Sequence, residues 1–170
     1  MTWLRTLVAG AVLTVALVLQ VSVFSAFAWQ GITPNLCLLV VVAAALTRGP
    51  QFAMVLGFVA GVLLDLAPPA DHTAGRWALA LVLVGFIAGR VRQDLQPTTW
   101  AVVGTVAACS FVGTSVFALT GLALGEVHAG MGEMLQVIGV SVLWDVLLTP
   151  VIVPLVVRLF ERLTPGRVLA

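Results

Sequence analysis

The chain has 170 residues, of which 61% are hydrophobic and only 9% are charged, and its formal net charge is +1. A water-soluble domain normally carries about a quarter charged residues to cover its surface, so this composition excludes a soluble globular fold. The near-neutral balance, with no basic tract, also argues against nucleic acid as a partner.

Two long stretches of the sequence carry no ionised side chain, from Thr6 to Thr47 and from Leu95 to Gly125. Such runs are typical of segments solvated by lipid. In hydrocarbon every backbone amide must be satisfied within its own segment, so the runs are predicted to be helices and the interruptions rich in proline and glycine to be turns. The prediction is an all-α integral membrane protein, a compact bundle of six transmembrane segments at residues 4–29, 35–47, 51–66, 75–89, 99–124 and 133–158.

The first segment is long for a signal peptide and is followed by further apolar segments, so we interpret it as an uncleaved span. The second, third and fourth segments are short. A helix of 13 residues, such as the second, rises about 20 Å, against a hydrocarbon core of about 30 Å. Either the bilayer thins beside these helices, or neighbouring helices bury them.

The distribution of arginine predicts the orientation, because cationic loops stay on the cytoplasmic side of a membrane. With the N-terminus inside, seven of the eight arginines are cytoplasmic and only Arg76 is external. Both termini are therefore expected in the cytoplasm. The second and third segments could instead form a re-entrant hairpin, which leaves the downstream topology unchanged. With no long linker, residues 1–170 are expected to form one polytopic membrane domain without a soluble domain.

Two aspartates lie in apolar surroundings. Asp65 falls near the external end of the third segment, and Asp145 falls near the bilayer midplane in the sixth. A carboxylate at that depth needs a partner, and the candidate hydroxyls are those of Ser110, Thr114 and Ser141. Asp145 could contact a substrate, an ion or a partner helix, or it could make a structural hydrogen bond inside the bundle. An intramembrane aspartyl protease is disfavoured, because Asp65 lacks a preceding glycine and the two acids lie at different depths.

Small residues recur every four positions on the third segment, at Ala53, Gly57 and Gly61, and Asp65 continues this stripe. Small side chains let a neighbouring backbone approach closely. Packing within the chain is favoured over an interface with a partner. His72, in the following loop, has no metal-ligand spacing and is expected to be solvated.

No catalytic constellation, metal-ligand set or cofactor motif is evident, so neither an enzyme activity nor a cofactor is predicted. Cys37 and Cys109 lie in apolar runs without a short spacing to each other or to histidine. They are expected to be packed, reduced thiols.

The order of several short motifs resembles the rod shape-determining protein family MreD. The residues that carry this resemblance are Pro34-Asn35-Leu36, Leu46 to Pro50, Gly57 to Leu66, Gly75 with Ala78-Leu79, and Gly85 to Gly89 before Arg90. The resemblance implies a non-enzymatic inner-membrane protein of the bacterial elongation machinery for peptidoglycan synthesis. It also implies an MreC-like single-span partner, acting with MreB, RodA and a penicillin-binding transpeptidase.

The family is also similar in architecture to the substrate-binding subunits of energy-coupling-factor transporters. An alternative function is therefore the binding of a vitamin-like small molecule near the external face. The polar residues that the predicted external turns offer for such a ligand are Gln30, Asn35, Asp71, His72, Arg76, Glu126, His128 and Glu133.

Overall fold

The protein is all-helical in the computed structural model, which describes residues 2–29, 31–68, 72–94, 98–126 and 130–162. Within these residues the helices are α1 (Thr2–Ser22), α2 (Leu36–Arg48), α3 (Pro50–Leu66), α4 (Arg76–Asp94), α5 (Thr99–Ala123) and α6 (Met131–Arg162). Each predicted segment corresponds to one of these six helices. The fourth and sixth predictions ended too early, since α4 continues to Asp94 and α6 to Arg162. The first prediction was too long, because α1 ends at Ser22 and a short 3-10 turn, Phe24–Phe27, follows it.

The helices differ in their capacity to cross a membrane. By length and composition, α5 and α6 are long and apolar enough to do so. The apolar helices α2 and α3 are shorter, as is the part of α1 from Thr6 to Ser22. The protein is therefore an all-α membrane protein whose apolar helices differ in length from one another.

Helix α2 forms the centre of the bundle. Its ten consecutive residues from Leu36 to Ala45 are all buried, and α2 packs against each of the other five helices. A helix that is apolar on every side is buried either in the core of a protein or in lipid, and here the neighbouring helices bury it. Burial by neighbouring helices therefore accounts for the short length of α2.

Helices α3 and α4 form a close antiparallel pair. A Cβ atom added at Gly57 would lie 2.4 Å from the carbonyl oxygen of Leu81, and one added at Gly61 would lie 2.2 Å from Cα of Ala78. Real Cβ atoms do not approach other atoms this closely. The two α3 glycines therefore bring the backbone of α4 into direct contact with α3.

The contact is reciprocal, because α4 contributes its own glycines. A Cβ atom at Gly85 would lie 2.7 Å from the backbone of Ala53, and one at Gly89 would lie 2.4 Å from Cα of Pro50. The stripe on α3 thus lies against α4 of the same chain.

The carboxyl ends of α2, α4 and α6 lie together. The Arg48 guanidinium is 4.9 Å from the centre of the Phe160 ring, and a Cβ at Gly49 would lie 3.8 Å from Nη1 of Arg92. We call this the basic end of the bundle, because its helix ends carry Arg48, Arg90, Arg92, Arg158 and Arg162.

The close α3–α4 contact predicts that one added methyl group at Gly61 lowers the thermal stability of the protein. We expect Gly61→Ala to lower the melting temperature of the purified chain in mild detergent, because overpacking of this kind costs about 1–3 kcal/mol. Gly139→Ala is the matched control, since Gly139 lies within α6 with no atom near its added Cβ. That variant should melt at or slightly above the wild-type temperature. Equal melting of Gly61→Ala and wild type would contradict the close contact.

Candidate functional site

The carboxylate of Asp145 is fully buried between three helices. Its Oδ1 accepts a hydrogen bond from the backbone N–H of Asn35 at 2.8 Å, and its Oδ2 accepts one from the Ser110 hydroxyl at 2.6 Å. Ser110 is one of the three hydroxyls that the sequence suggested as partners. The backbone donor at Asn35 was not anticipated, and it places the carboxylate at the start of α2.

The start of α2 needs acceptors because the first N–H groups of a helix have no partner within it. Asn35 is the N-cap residue, and its own Oδ1 accepts from Leu38 N at 2.9 Å. The amide of Cys37 donates to Oε1 of Gln20, on α1, at 3.3 Å. Since an unpaired amide in apolar surroundings is costly and a helix start favours negative charge, Asp145 and Gln20 stabilise α2 where it begins.

Asp65 has the corresponding position at the start of α4. It is 2% exposed. Its Oδ2 accepts from the amides of Gly75, at 2.8 Å, and Ala78, at 3.2 Å. Its Oδ1 accepts from the amide of Trp77 at 3.0 Å. One carboxylate from the last turn of α3 therefore satisfies three amides at the beginning of the next helix.

His72 lies against this carboxylate and is not solvated. Its Nδ1 is 3.7 Å from Oδ1 of Asp65, and its side chain is only 18% exposed. The imidazole also contacts the Phe117 ring edge-on, with 5.1 Å between ring centres. The expectation of a solvated histidine was wrong, because His72 packs against Asp65 at the end of α3 and against Phe117.

Arg76 connects α4 to the end of α5. The side chain is buried, Nη1 donates to Oε2 of Glu126 at 2.8 Å, and Nη2 donates to the Phe117 carbonyl at 2.7 Å. The guanidinium lies 3.9 Å from the centre of the Phe117 ring, on which Trp77 also stacks. The arginine was expected in an external turn, and its ion pair was not anticipated.

Glu126 is held by the same loop. Its Oε1 accepts from the backbone amide of Thr73 at 2.9 Å and from the Thr73 hydroxyl. The hydroxyl bond is the main cause that lowers the pKa of Glu126 below its ordinary value, and the positive charge of Arg76 adds to it. The loop is therefore fixed to the end of α5 through an ionised carboxylate.

The residues proposed as sites from the sequence thus fall into two places. Ala53, Gly57 and Gly61 face α4, while Asp65 and Asp145 accept hydrogen bonds at helix starts. Cys37 and Cys109 are buried free thiols. Within the described ranges, no group of three or more histidine, cysteine or acidic side chains is arranged to hold a metal ion. The positions Gln30, Asp71 and His128 lie outside the described residues.

Sequence reasoning missed Gln20, Arg76 and Glu126 as structural contacts. A signal for Gln20 was present, since it is the single amide side chain in the predicted first segment, residues 4–29. A lone polar group in such a segment needs a partner in the bundle. The Arg76–Glu126 pair carried no comparable signal, because its members are 50 positions apart and both follow turns.

Comparison with known proteins identifies one family. The family model described as rod shape-determining protein MreD matches residues 1–163. Searches of curated proteins and of solved structures gave no match. The resemblance seen in the short motifs therefore extends over nearly the whole chain, while similarity to energy-coupling-factor subunits has no structural match to support it.

The Asp145 site predicts a graded response to substitution. Asp145→Asn keeps an acceptor for Asn35 and gains an amide that can donate to the Ser110 oxygen, so we expect near-normal thermal stability in detergent. Asp145→Leu leaves two buried donors unpaired, each at a cost of about 1–3 kcal/mol, and should melt markedly lower. Leu147→Ala, at an exposed position of the same helix, is the control and should change little. Full tolerance of leucine would show that the hydrogen bonds are dispensable.

The lowered pKa of Glu126 predicts a pH dependence of stability. A depressed carboxylate pKa contributes stability that is present above the ordinary glutamate pKa of about 4.3 and is lost as pH falls through the folded-state pKa. The wild-type melting temperature should therefore fall more steeply below that pH than that of Glu126→Gln. Glu133→Gln, an exposed acid in the first turn of α6, is the control and should follow wild type. Parallel acid profiles for wild type and Glu126→Gln would rule out this contribution.

Proposed function

The chain belongs to the MreD family of rod shape-determining proteins, and on that premise we propose that it is an inner-membrane scaffold of the cell-elongation complex. Its direct partner is a single-span MreC-like protein. The wider complex includes MreB, RodA and a penicillin-binding transpeptidase. The observation that supports this function best is the use of both buried carboxylates at helix starts. These polar groups maintain a bundle that presents apolar helix surfaces, and the proposal requires no reaction at them.

We propose that the six helices cross the inner membrane with both termini in the cytoplasm. The gathering of five arginines at the basic end supports this orientation, because cationic ends stay on the cytoplasmic side. The opposite end carries Asp65, Arg76, Glu126 and Glu133. Its only described arginine, Arg76, is already paired with Glu126.

A surface for the partner is the groove between α1 and α6. It has a volume of about 330 Å³, and its walls come from both helices, with Leu36 and Val40 of α2 as its floor. Its lining is wholly apolar, as a membrane-embedded partner helix requires. From residue 6 onward, where its side chains are described, helix α1 places only Ala9, Leu13 and Ala16 in the buried core, so much of that surface is left for a second chain.

A substitution within this groove tests the scaffold. Ala11 lines the groove, and we expect Ala11→Phe to reduce recovery of a co-expressed MreC-like protein severalfold in mild detergent. The melting temperature of the purified chain should stay near wild type, since Ala11 is exposed. Ala108→Phe, at an exposed position of α5, is the matched control for added bulk on the surface. Undiminished recovery with Ala11→Phe would remove the groove as the docking surface, and failure of the wild type to retain the partner would remove the scaffold itself.

The small-molecule alternative has one observation in its favour. Asn35 Nδ2 and Trp144 Nε1 are buried donors without a hydrogen-bond partner among the described residues. Against it, Arg76 and Glu126 bond to each other, and the backbone amide of Asn35 is held by Asp145. The scaffold is therefore the better supported function.

A further inference from the structure

Helices α3 and α4 are not enclosed in the way that α2 is. Large apolar side chains of α3 point outward, with Val55 66%, Phe58 55% and Leu66 66% exposed. Leu79 and Phe86 of α4 are 48% and 39% exposed. Burial by neighbours therefore explains the length of α2 but not the lengths of α3 and α4.

The apolar surface of α3 and α4 is bounded at the basic end by the exposed Gln51 and Arg90. At the opposite end it is bounded by the points where the two helices stop, since lipid-exposed backbone outside a helix is not stable in hydrocarbon. On α3 the exposed stretch runs from Gln51 to Leu66, a rise of about 22 Å at about 1.5 Å per residue. On α4 the step from Arg76 to the exposed Arg90 is about 21 Å. Both are shorter than the hydrocarbon core of an ordinary bilayer, which is about 30 Å thick. Tilting would shorten the span of these helices further.

The other side of the bundle has a much longer apolar surface. Exposed large apolar residues of α6 extend from Leu135 to Leu159, a rise of about 36 Å. A helix whose apolar stretch is longer than the hydrocarbon core can tilt. One whose apolar stretch is shorter is accommodated by local thinning of the bilayer, by snorkelling of flanking side chains or by oligomerisation. The Asp65 carboxylate joins the end of α3 to the start of α4, so these two helices cannot slide along each other to lengthen the face.

We propose that the face formed by α3 and α4 is a lipid surface that locally thins the bilayer to about 22 Å, while the α6 face meets lipid of ordinary thickness. The occupant of this face is lipid hydrocarbon, compressed by the short distance between the two ends of the helix pair. The inference rests on the proposed topology, in which α3 and α4 cross the membrane. It is independent of the partner groove on α1 and α6.

Nitroxide depth measurements on the full chain test the proposal. Single labels at Gln51→Cys, Phe58→Cys and Leu66→Cys are placed in dioleoylphosphatidylcholine vesicles, and their depth is obtained from collisions with oxygen and with a water-soluble nickel complex. Background labelling is low, because the two native cysteines are fully buried. We expect interface depth at both Gln51 and Leu66 and hydrocarbon depth at Phe58.

A pair of labels with nearly the same spacing on α6, at Leu135→Cys and Val151→Cys, is the matched control, since both positions are exposed outside the partner groove. Because the bilayer there is about 30 Å thick, at least one label of this pair should report hydrocarbon depth. Hydrocarbon depth at Gln51 or Leu66, or interface depth at both α6 positions, would overturn the proposal of one-sided thinning.

A membrane-impermeant thiol reagent separates this outcome from a failure of the topology. Gln51→Cys and Ala74→Cys lie at opposite ends of α3 and α4, and we expect them to react from opposite sides of sealed vesicles. Reaction of both from the same side would show that α3 does not cross the membrane and would remove the proposal together with the topology. Reaction from opposite sides with hydrocarbon depth at Gln51 would remove the thinning alone.

Discussion

A helix that begins inside a bundle of apolar helices brings unpaired amide groups into surroundings without water. Helix α2 begins in this way, and every other helix packs against it. Asp145 of α6, Gln20 of α1 and the N-cap Asn35 supply the acceptors that its first turn needs. Since each unpaired amide would cost several kcal/mol in hydrocarbon, these acceptors decide whether the core helix is stable at its observed position.

The same solution recurs at the start of α4. There the acceptor is Asp65, which lies in the last turn of α3 and accepts hydrogen bonds from three amides at the start of α4. This carboxylate and the close glycine contact stabilise the same helix pair. Gly61 lies one turn before Asp65 and packs against Ala78, and the amide of Ala78 donates a hydrogen bond to Asp65. The close approach of the backbones is what brings the carboxylate within reach of those amides.

Much of this architecture follows from local sequence properties. The helix bounds could be predicted because hydrocarbon demands continuous helices, and because proline and glycine mark the turns. The stripe on α3 was visible from its spacing of four. Ser110 could be named as a partner of Asp145, because few hydroxyls were available at that depth.

The remaining contacts depend on which helices become neighbours, and periodicity does not determine that. Arg76 and Glu126 join positions far apart in the chain, and His72 is shielded from solvent because it packs against Phe117 and Asp65. The enclosure of α2 was one of two explanations that its length allowed. The other explanation, a thinner bilayer, is left for α3 and α4.

The most direct test of the account is residue-resolved hydrogen exchange at the start of α2, measured by NMR on the wild type and on Asp145→Leu. Asn35 precedes the helix, so its amide is protected only if the Asp145 carboxylate holds it. The account predicts slow exchange at Asn35 in the wild type, comparable to that of amides in the middle of α2, and rapid exchange in the variant. Equal exchange at Asn35 in the two proteins would show that burial alone protects this amide, and would contradict the role given to Asp145.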